Sequence, residues 1–273
     1  MKKLLSIVLA AFMLSAASVC FAASPSSPTA SPKAACLSCA TDVPVNHWAA
    51  DAIEQGIKDG VINGFPDGTF RPDDPITREQ WFAMLIRTMF PGKDVANDPI
   101  FDIAKAFYVA YERMKDFDPN SWSFPYCQLA YTTQAYDMTY GDSGIGNRMY
   151  YSPRGDMYRF EVSLGIFNFL HNHTSSYLYD YVDATIPPFK DVSRYEDLDL
   201  SIRYGEDYEK EIFINYDTYE STEHLHQAGI LNGFPDGTFK YTKTLSRAEA
   251  LKILQNPILK EVLVSAGMKA ITF

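Results

Sequence analysis

The sequence predicts a mainly α-helical protein assembled from three copies of one helix–loop–helix unit. Three observations carry this. First, Gly60-Val61-Ile62-Asn63-Gly64-Phe65-Pro66-Asp67-Gly68-Thr69-Phe70 returns as Gly229-Ile230-Leu231-Asn232-Gly233-Phe234-Pro235-Asp236-Gly237-Thr238-Phe239, changed only at two aliphatic positions. Second, the match runs on without a gap into Ile76-Thr77-Arg78-Glu79-Gln80 and Leu245-Ser246-Arg247-Ala248-Glu249, every pair 169 positions apart as Arg78 and Arg247 are. Third, a weaker copy lies 81 positions after the first: Tyr151-Ser152-Pro153 answers Phe70-Arg71-Pro72, and Met157-Tyr158-Arg159-Phe160-Glu161 answers the pentapeptide. Self-similarity of this length marks a structural unit used repeatedly. One such unit is too small to bury its own core, and packing three together supplies one.

Residues 1–22 read as a secretory signal: Met1-Lys2-Lys3 is a basic start, Leu4 to Val19 is apolar, and Cys20-Phe21-Ala22 offers a small-residue cleavage site. Ala17-Ser18-Val19-Cys20 is close to a lipoprotein box, but Val19 is too large before the cysteine, which favours ordinary cleavage over lipidation. No other stretch is long and apolar enough to span a bilayer. Residues 23–40 form a linker rich in proline, serine and alanine. Cys36 and Cys39 within it predict a local disulfide rather than a metal site, since only Cys127 remains as a further ligand. A thioredoxin-like role for the pair lacks a βαβ setting, and Cys127 reads as a small buried residue.

In the first unit, 41–92, Trp48, Ala49, Ala52, Ile53 and Ile57 share one helical face and Gly60 ends the helix in a left-handed cap. Pro66-Asp67-Gly68 supplies turn chemistry. Thr77 caps a second helix with Gln80 closing the box, and Trp81, Phe82, Met84, Leu85, Ile86 and Met89 make that helix the buried one until Pro91-Gly92. The middle unit, 98–172, opens either at Phe101-Asp102-Ile103 or at Phe117-Asp118 before Trp122. It lacks the Phe-Pro-Asp-Gly turn and has Tyr158 at the cap, but Phe160, Val162, Leu164, Ile166, Phe167 and Leu170 keep the core helix. The last unit, 187–256, opens at Phe189-Lys190-Asp191-Val192 and carries an acidic, tyrosine-rich insertion from Arg194 to Tyr216. Its helices are expected at about 219–228 and at Arg247 to about Leu254, the second capped by Ser246 and Glu249. In the tail, 257–273, the apolar stretch from Val262 can pack back on the bundle.

The arginine falls at the first helical position of all three core helices, where a cation opposes the helix dipole. Its persistence there implies an anion to reach, helped by the free amides of a helix start. Net charge is −10, or −12 once Lys2 and Lys3 leave with the signal, which argues against nucleic acid and anionic lipid as partners. An anionic sugar can still be held by a few arginines in grooves, with aromatic residues to stack on it. A cationic ligand is the alternative that suits the overall charge. His171/His173 and His224/His226 lack a third ligand, so a solvated surface is favoured over a metal site and no cofactor is expected. Many carboxylate pairs exist for sugar hydrolysis, but none is singled out, and no phosphate loop, nucleophile elbow or zinc helix is present. An enzyme is not expected.

Trp48 leading a short helix, then Asn-Gly-Phe-Pro-Asp-Gly-Thr-Phe-Arg-Pro, then Ile-Thr-Arg-Glu, resembles the S-layer homology (SLH) domain, with three tandem units of which the middle one is degenerate. The resemblance implies a pseudo-three-fold bundle that holds a pyruvylated secondary cell-wall polysaccharide in grooves between units, a secreted protein kept at the cell surface, and no catalysis. In the family the motif arginine reaches the ketal carboxylate, which maps to Arg78, Arg159 and Arg247. The opening aspartate maps to Asp42, Asp191 and Asp102, and the turn glycines that admit a sugar map to Gly64 and Gly233. Arg159 is expected to matter least, because its own unit lacks the turn. The alternative is a structural S-layer or envelope protein attached to modified peptidoglycan or to protein partners, and an oligomer is compatible with either.

Overall fold

The computed structural model describes residues 40–102, 118–133, 140–141, 149–150, 152–174, 189–191 and 216–271. All of them belong to the compact unit Ala34–Phe273. The expected signal, nearly all of the linker with Cys36 and Cys39, and the acidic insertion before Tyr216 lie outside the described residues. The described part is mainly helical: α1 (Ala50–Lys58), α2 (Arg78–Met89), α3 (Phe124–Thr132), α4 (Arg159–His173), α5 (Tyr216–Gln227), α6 (Arg247–Leu254) and α7 (Pro257–Ile271).

Local chemistry sets the helix ends. Gly60 and Gly229 take φ of 70° each, so α1 and α5 stop in the left-handed conformation a Cβ resists. Thr77 Oγ1 accepts from Gln80 N at 3.4 Å and Ser246 Oγ from Glu249 N at 3.2 Å, closing both predicted capping boxes. Tyr158 offers no side-chain cap; Glu161 supplies the reciprocal half alone, its Oε2 accepting from Tyr158 N at 2.8 Å. The tail is a full helix, started by Asn256, whose Oδ1 accepts from Ile258 N and Leu259 N, with Pro257 at the first position.

The middle repeat keeps the plan with altered parts. Asp102 follows a short 3-10 helix, Pro99–Phe101, while Asp118 stands in the turn that leads through Trp122 into α3. Where the other repeats have their glycine turn, two two-residue strands, β1 (Tyr140–Gly141) and β2 (Met149–Tyr150), pair antiparallel. Arg71, Ser152 and Lys240 occupy the same repeat position and all have positive φ, at 59°, 46° and 55°. All three copies therefore enter the stretch before the core helix through the same uncommon backbone conformation, although the middle one lacks the turn.

The repeats close into a ring. Ile76 N donates to Leu245 O (2.9 Å), Leu245 N to Met157 O (2.7 Å) and Met157 N to Ile76 O (2.9 Å), all three residues being fully buried. Flanking bridges Pro75–Ser246, Thr77–Asp156 and Tyr158–Thr244 repeat the pattern in cyclic order. Each outer helix packs on the core helix of the preceding repeat: α3 on α2, α5 on α4, and α1 on α6. Helix α7 lies against α2 and α4, burying Leu259, Leu263, Ala266, Ala270 and Ile271. Trp81, Phe82, Phe160, Phe169 and Leu251 fill the core between them.

Candidate functional site

The three motif arginines start α2, α4 and α6 and are only 5–7% exposed. Their backbone amides are not free for an anion. Arg78 N donates to Gly155 O, Arg159 N to Lys243 O and Arg247 N to Asp74 O, at 2.9–3.1 Å. Each helix start is thus satisfied by the loop of another repeat, so whatever the site does rests on side chains.

Those side chains reach into the following repeat. Arg159 Nε donates to Phe239 O (2.8 Å) and Nη2 to Asn232 O (3.0 Å). Arg247 does the same around the ring, to Phe70 O (2.9 Å) and Asn63 O (3.1 Å). Phe234 and Phe239 lie 4.8 and 4.5 Å from the Arg159 guanidinium, and Phe65 and Phe70 lie 4.7 and 4.8 Å from that of Arg247. Burial pulls both guanidiniums down, Arg247 to about 10, which leaves them cationic at neutral pH. Arg78 differs. Its Nε and Nη2 both reach Glu161 Oε1, at 2.9 and 2.7 Å, in a buried ion pair. The expectation for Arg159 is therefore reversed in geometry: it meets the intact turn of the last repeat, and Arg78 is the arginine facing the altered middle one.

A groove of about 1140 Å³ opens between α1 and α6. Arg159 and the turn Asn232–Pro235 form one wall, Trp48, Asp51 and Gln55 another, and Lys243, Glu249 and Lys252 a third. Trp48 was expected on the buried face of α1; instead it precedes the helix and is 55% exposed. Trp122 stands equivalently before α3, 54% exposed, near a smaller groove of about 440 Å³ lined by Glu79, Asp118 and Arg154. Lys243 Nζ contacts both oxygens of Glu249, at 2.9 and 2.7 Å.

The other predicted residues hold the scaffold. Asp42 accepts Phe70 N and Arg71 N, one per oxygen at 2.7 Å, and Asp191 accepts Phe239 N and Lys240 N at 2.7 and 2.6 Å. Partial burial works against the Asp42 charge, but the two amides outweigh it and keep its carboxyl below the ordinary range. Both carboxylates clamp the positive-φ exit of the turn. At Gly233 an added Cβ would meet the Phe189 ring and Thr238 O, and at Gly64 it would stand 3.1 Å from Thr69 O, so both glycines are needed by the turn's own packing. Asp102 is exposed beyond its 3-10 helix.

Of the two histidine pairs only His171 is exposed as expected, and the other three side chains are engaged. His224 is buried against Phe167, His173 Nε2 bonds Thr133 O at 2.8 Å, and His226 Nδ1 bonds Leu231 O at 3.0 Å. Among the described residues no cluster of His, Cys, Asp and Glu could hold a metal, and no helix is long and apolar enough to cross a membrane. Cys127 is fully buried on α3.

The S-layer homology domain family matches residues 41–80 and 223–251. Outer membrane protein SlpA of Deinococcus radiodurans is 40% identical over 73 residues, 27% of this chain and 6% of that protein. Outer membrane protein SlpA of Thermus thermophilus is 45% identical over 49 residues, 18% of this chain and 5% of that protein. Cell surface glycoprotein 1 of Acetivibrio thermocellus is 37% identical over 59 residues, 21% of this chain and 3% of that protein. The chain spans less than a tenth of each of these relatives. The matched segments contain the turn of the first and last repeats and the start of their core helices with Arg78 and Arg247: over these two segments the chain carries S-layer homology domain sequence.

Proposed function

We propose that this chain is a non-catalytic anchor of the cell envelope that holds an anionic wall glycan, a pyruvylated secondary polysaccharide, in the groove beside Arg159, with a matching site at Arg247. A cell-surface location follows from the family and from cell-surface relatives. We read the three repeats as three tandem SLH units, which the ring of equivalent contacts supports. The observation that carries the ligand reading is the setting of Arg159. Two of its nitrogens are held by neutral carbonyls, so its charge is fixed in place yet not cancelled. The third, Nη1, has no hydrogen-bond partner among the described residues. Across the groove stands the exposed indole of Trp48, a flat apolar face of the kind on which a sugar ring stacks. A planar fork with a spare donor suits a carboxylate, and the aromatic wall suits the pyranose that carries it.

Sedimentation with cell walls tests this. The chain should pellet with native walls and stay in solution with walls chemically stripped of secondary polysaccharide. Equal retention on both overturns the polysaccharide reading and favours the peptidoglycan one, to which the outer-membrane relatives lend support. Calorimetry on isolated polysaccharide refines it. Arg159→Lys should weaken binding and Arg159→Ala weaken it further, by about 2–3 kcal/mol for a lost charge-assisted contact. Trp48→Ala should weaken it with no change in melting temperature.

A further inference from the structure

This inference deepens the anionic-glycan reading and rests on it. The third residue of each core helix caps that helix, and these residues are Gln80, Glu161 and Glu249. The arginine from the preceding repeat lies against this position: Arg78 is bonded to Glu161, and the charge of Glu249 acts on Arg159. By the same cyclic register Gln80 is the residue that answers Arg247. Six positions before the cap the repeats differ, with Asp74, Gly155 and Lys243. In the last repeat Lys243 holds both oxygens of Glu249, so the carboxylate has its own cation and Arg159 stays with the carbonyls. In the first repeat the cap is a neutral amide. In the middle repeat the lysine's place is taken by a glycine, and an added Cβ there would run into Arg78 Nη1. Glu161, fully buried, has Arg78 as its cation.

We propose that Glu161 is a built-in carboxylate that occupies Arg78, so that the chain takes anionic sugars at two arginines, Arg159 and Arg247, and not at a third. Lys243 is the positioning residue that keeps Arg159 available by neutralising Glu249. An incoming carboxylate at Arg78 would have to break a buried ion pair. At Arg159 and Arg247 the hydrogen-bond partners are neutral carbonyls, and the nearby carboxylates, Glu249 and Asp191 at the first and Asp74 and Asp42 at the second, act through space with no hydrogen bond to the guanidinium among the described residues.

Titration calorimetry of the full chain with a methyl hexopyranoside bearing a pyruvate ketal counts the sites. The wild type should show two. Glu161→Gln keeps the cap, as Gln80 does in the first repeat, and should raise the number to three. Lys243→Ala frees Glu249 to take Arg159 and should lower it to one. Three sites in the wild type, or an unchanged count in Glu161→Gln, overturns the proposal while the glycan reading stands. A wild type that takes up no probe sinks the glycan reading and this inference with it. Should Lys243→Ala fail to fold, Glu161→Gln alone decides.

Discussion

Thr77 and Ser246 cap their helices through a hydroxyl, whereas Tyr158 leaves that task to Glu161. Thr77→Ala and Ser246→Ala should each cost about 1 kcal/mol in urea denaturation. Tyr158→Phe should cost less than either, since the Tyr158 side chain makes no cap hydrogen bond; a loss equal to the other two would show that the phenol takes part. These caps were legible because a capping box is written within four consecutive residues. The partners of the motif arginines were not, since Arg247 bonds Asn63 and Phe70 across the whole fold. Trp48 was misassigned for a related reason. Helical periodicity places it with Ala52 and Ile53, but the residue stands before α1, where that period does not apply. His224 shows the converse, a polar residue buried only because α5 packs on α4.

At the scale of elements, the repeated turn is a small self-contained structure. Asp67 accepts Thr69 N and Thr69 Oγ1 at 2.9 and 2.6 Å, and Asp236 repeats this with Thr238 at 3.0 and 2.6 Å. The hydrogen bonds from Thr69 hold Asp67 well below the carboxylate range, at about 2, and those from Thr238 lower Asp236 in the same way. A carboxyl with a depressed folded pKa adds stability that is fully present above its unfolded pKa and lost as pH falls through the folded one. The melting temperature should therefore drop between about pH 4 and about pH 2, and Asp67→Asn with Asp236→Asn should flatten that drop. An unaltered pH profile in the double variant would mean that the turn carboxylates do not contribute. This turn could be read from Pro-Asp-Gly alone. The helix α7 was underread although Asn256-Pro257 is a start signal, because the apolar run from Val262 drew the boundary inward.

For the whole molecule, closure depends on α1 meeting α6. Gly56 sits where any Cβ would collide with a methyl of Leu251. Gly56→Val should destabilise the chain by about 1–3 kcal/mol through overpacking. The penalty should shrink in a Leu251→Ala background, a coupling that a double-mutant cycle measures. Additive losses would mean that the helices can draw apart at no cost. The three-copy plan was visible in the register of the repeats, but the exchange of helices between neighbouring repeats was not, because a repeat read alone suggests that its two helices pair with each other.

The ring also sets an order of assembly. Helix α1 has its partner in α6, at the opposite end of the described chain, so the apolar face of Ala52, Ile53 and Ile57 stays uncovered until the last repeat is in place. Long-range closure of this kind is slow compared with helix formation. While it waits, α1 cannot distinguish its own α6 from that of a neighbouring copy. The latch that completes one molecule is thereby also a route to domain swapping, in which two open chains each close the other's ring.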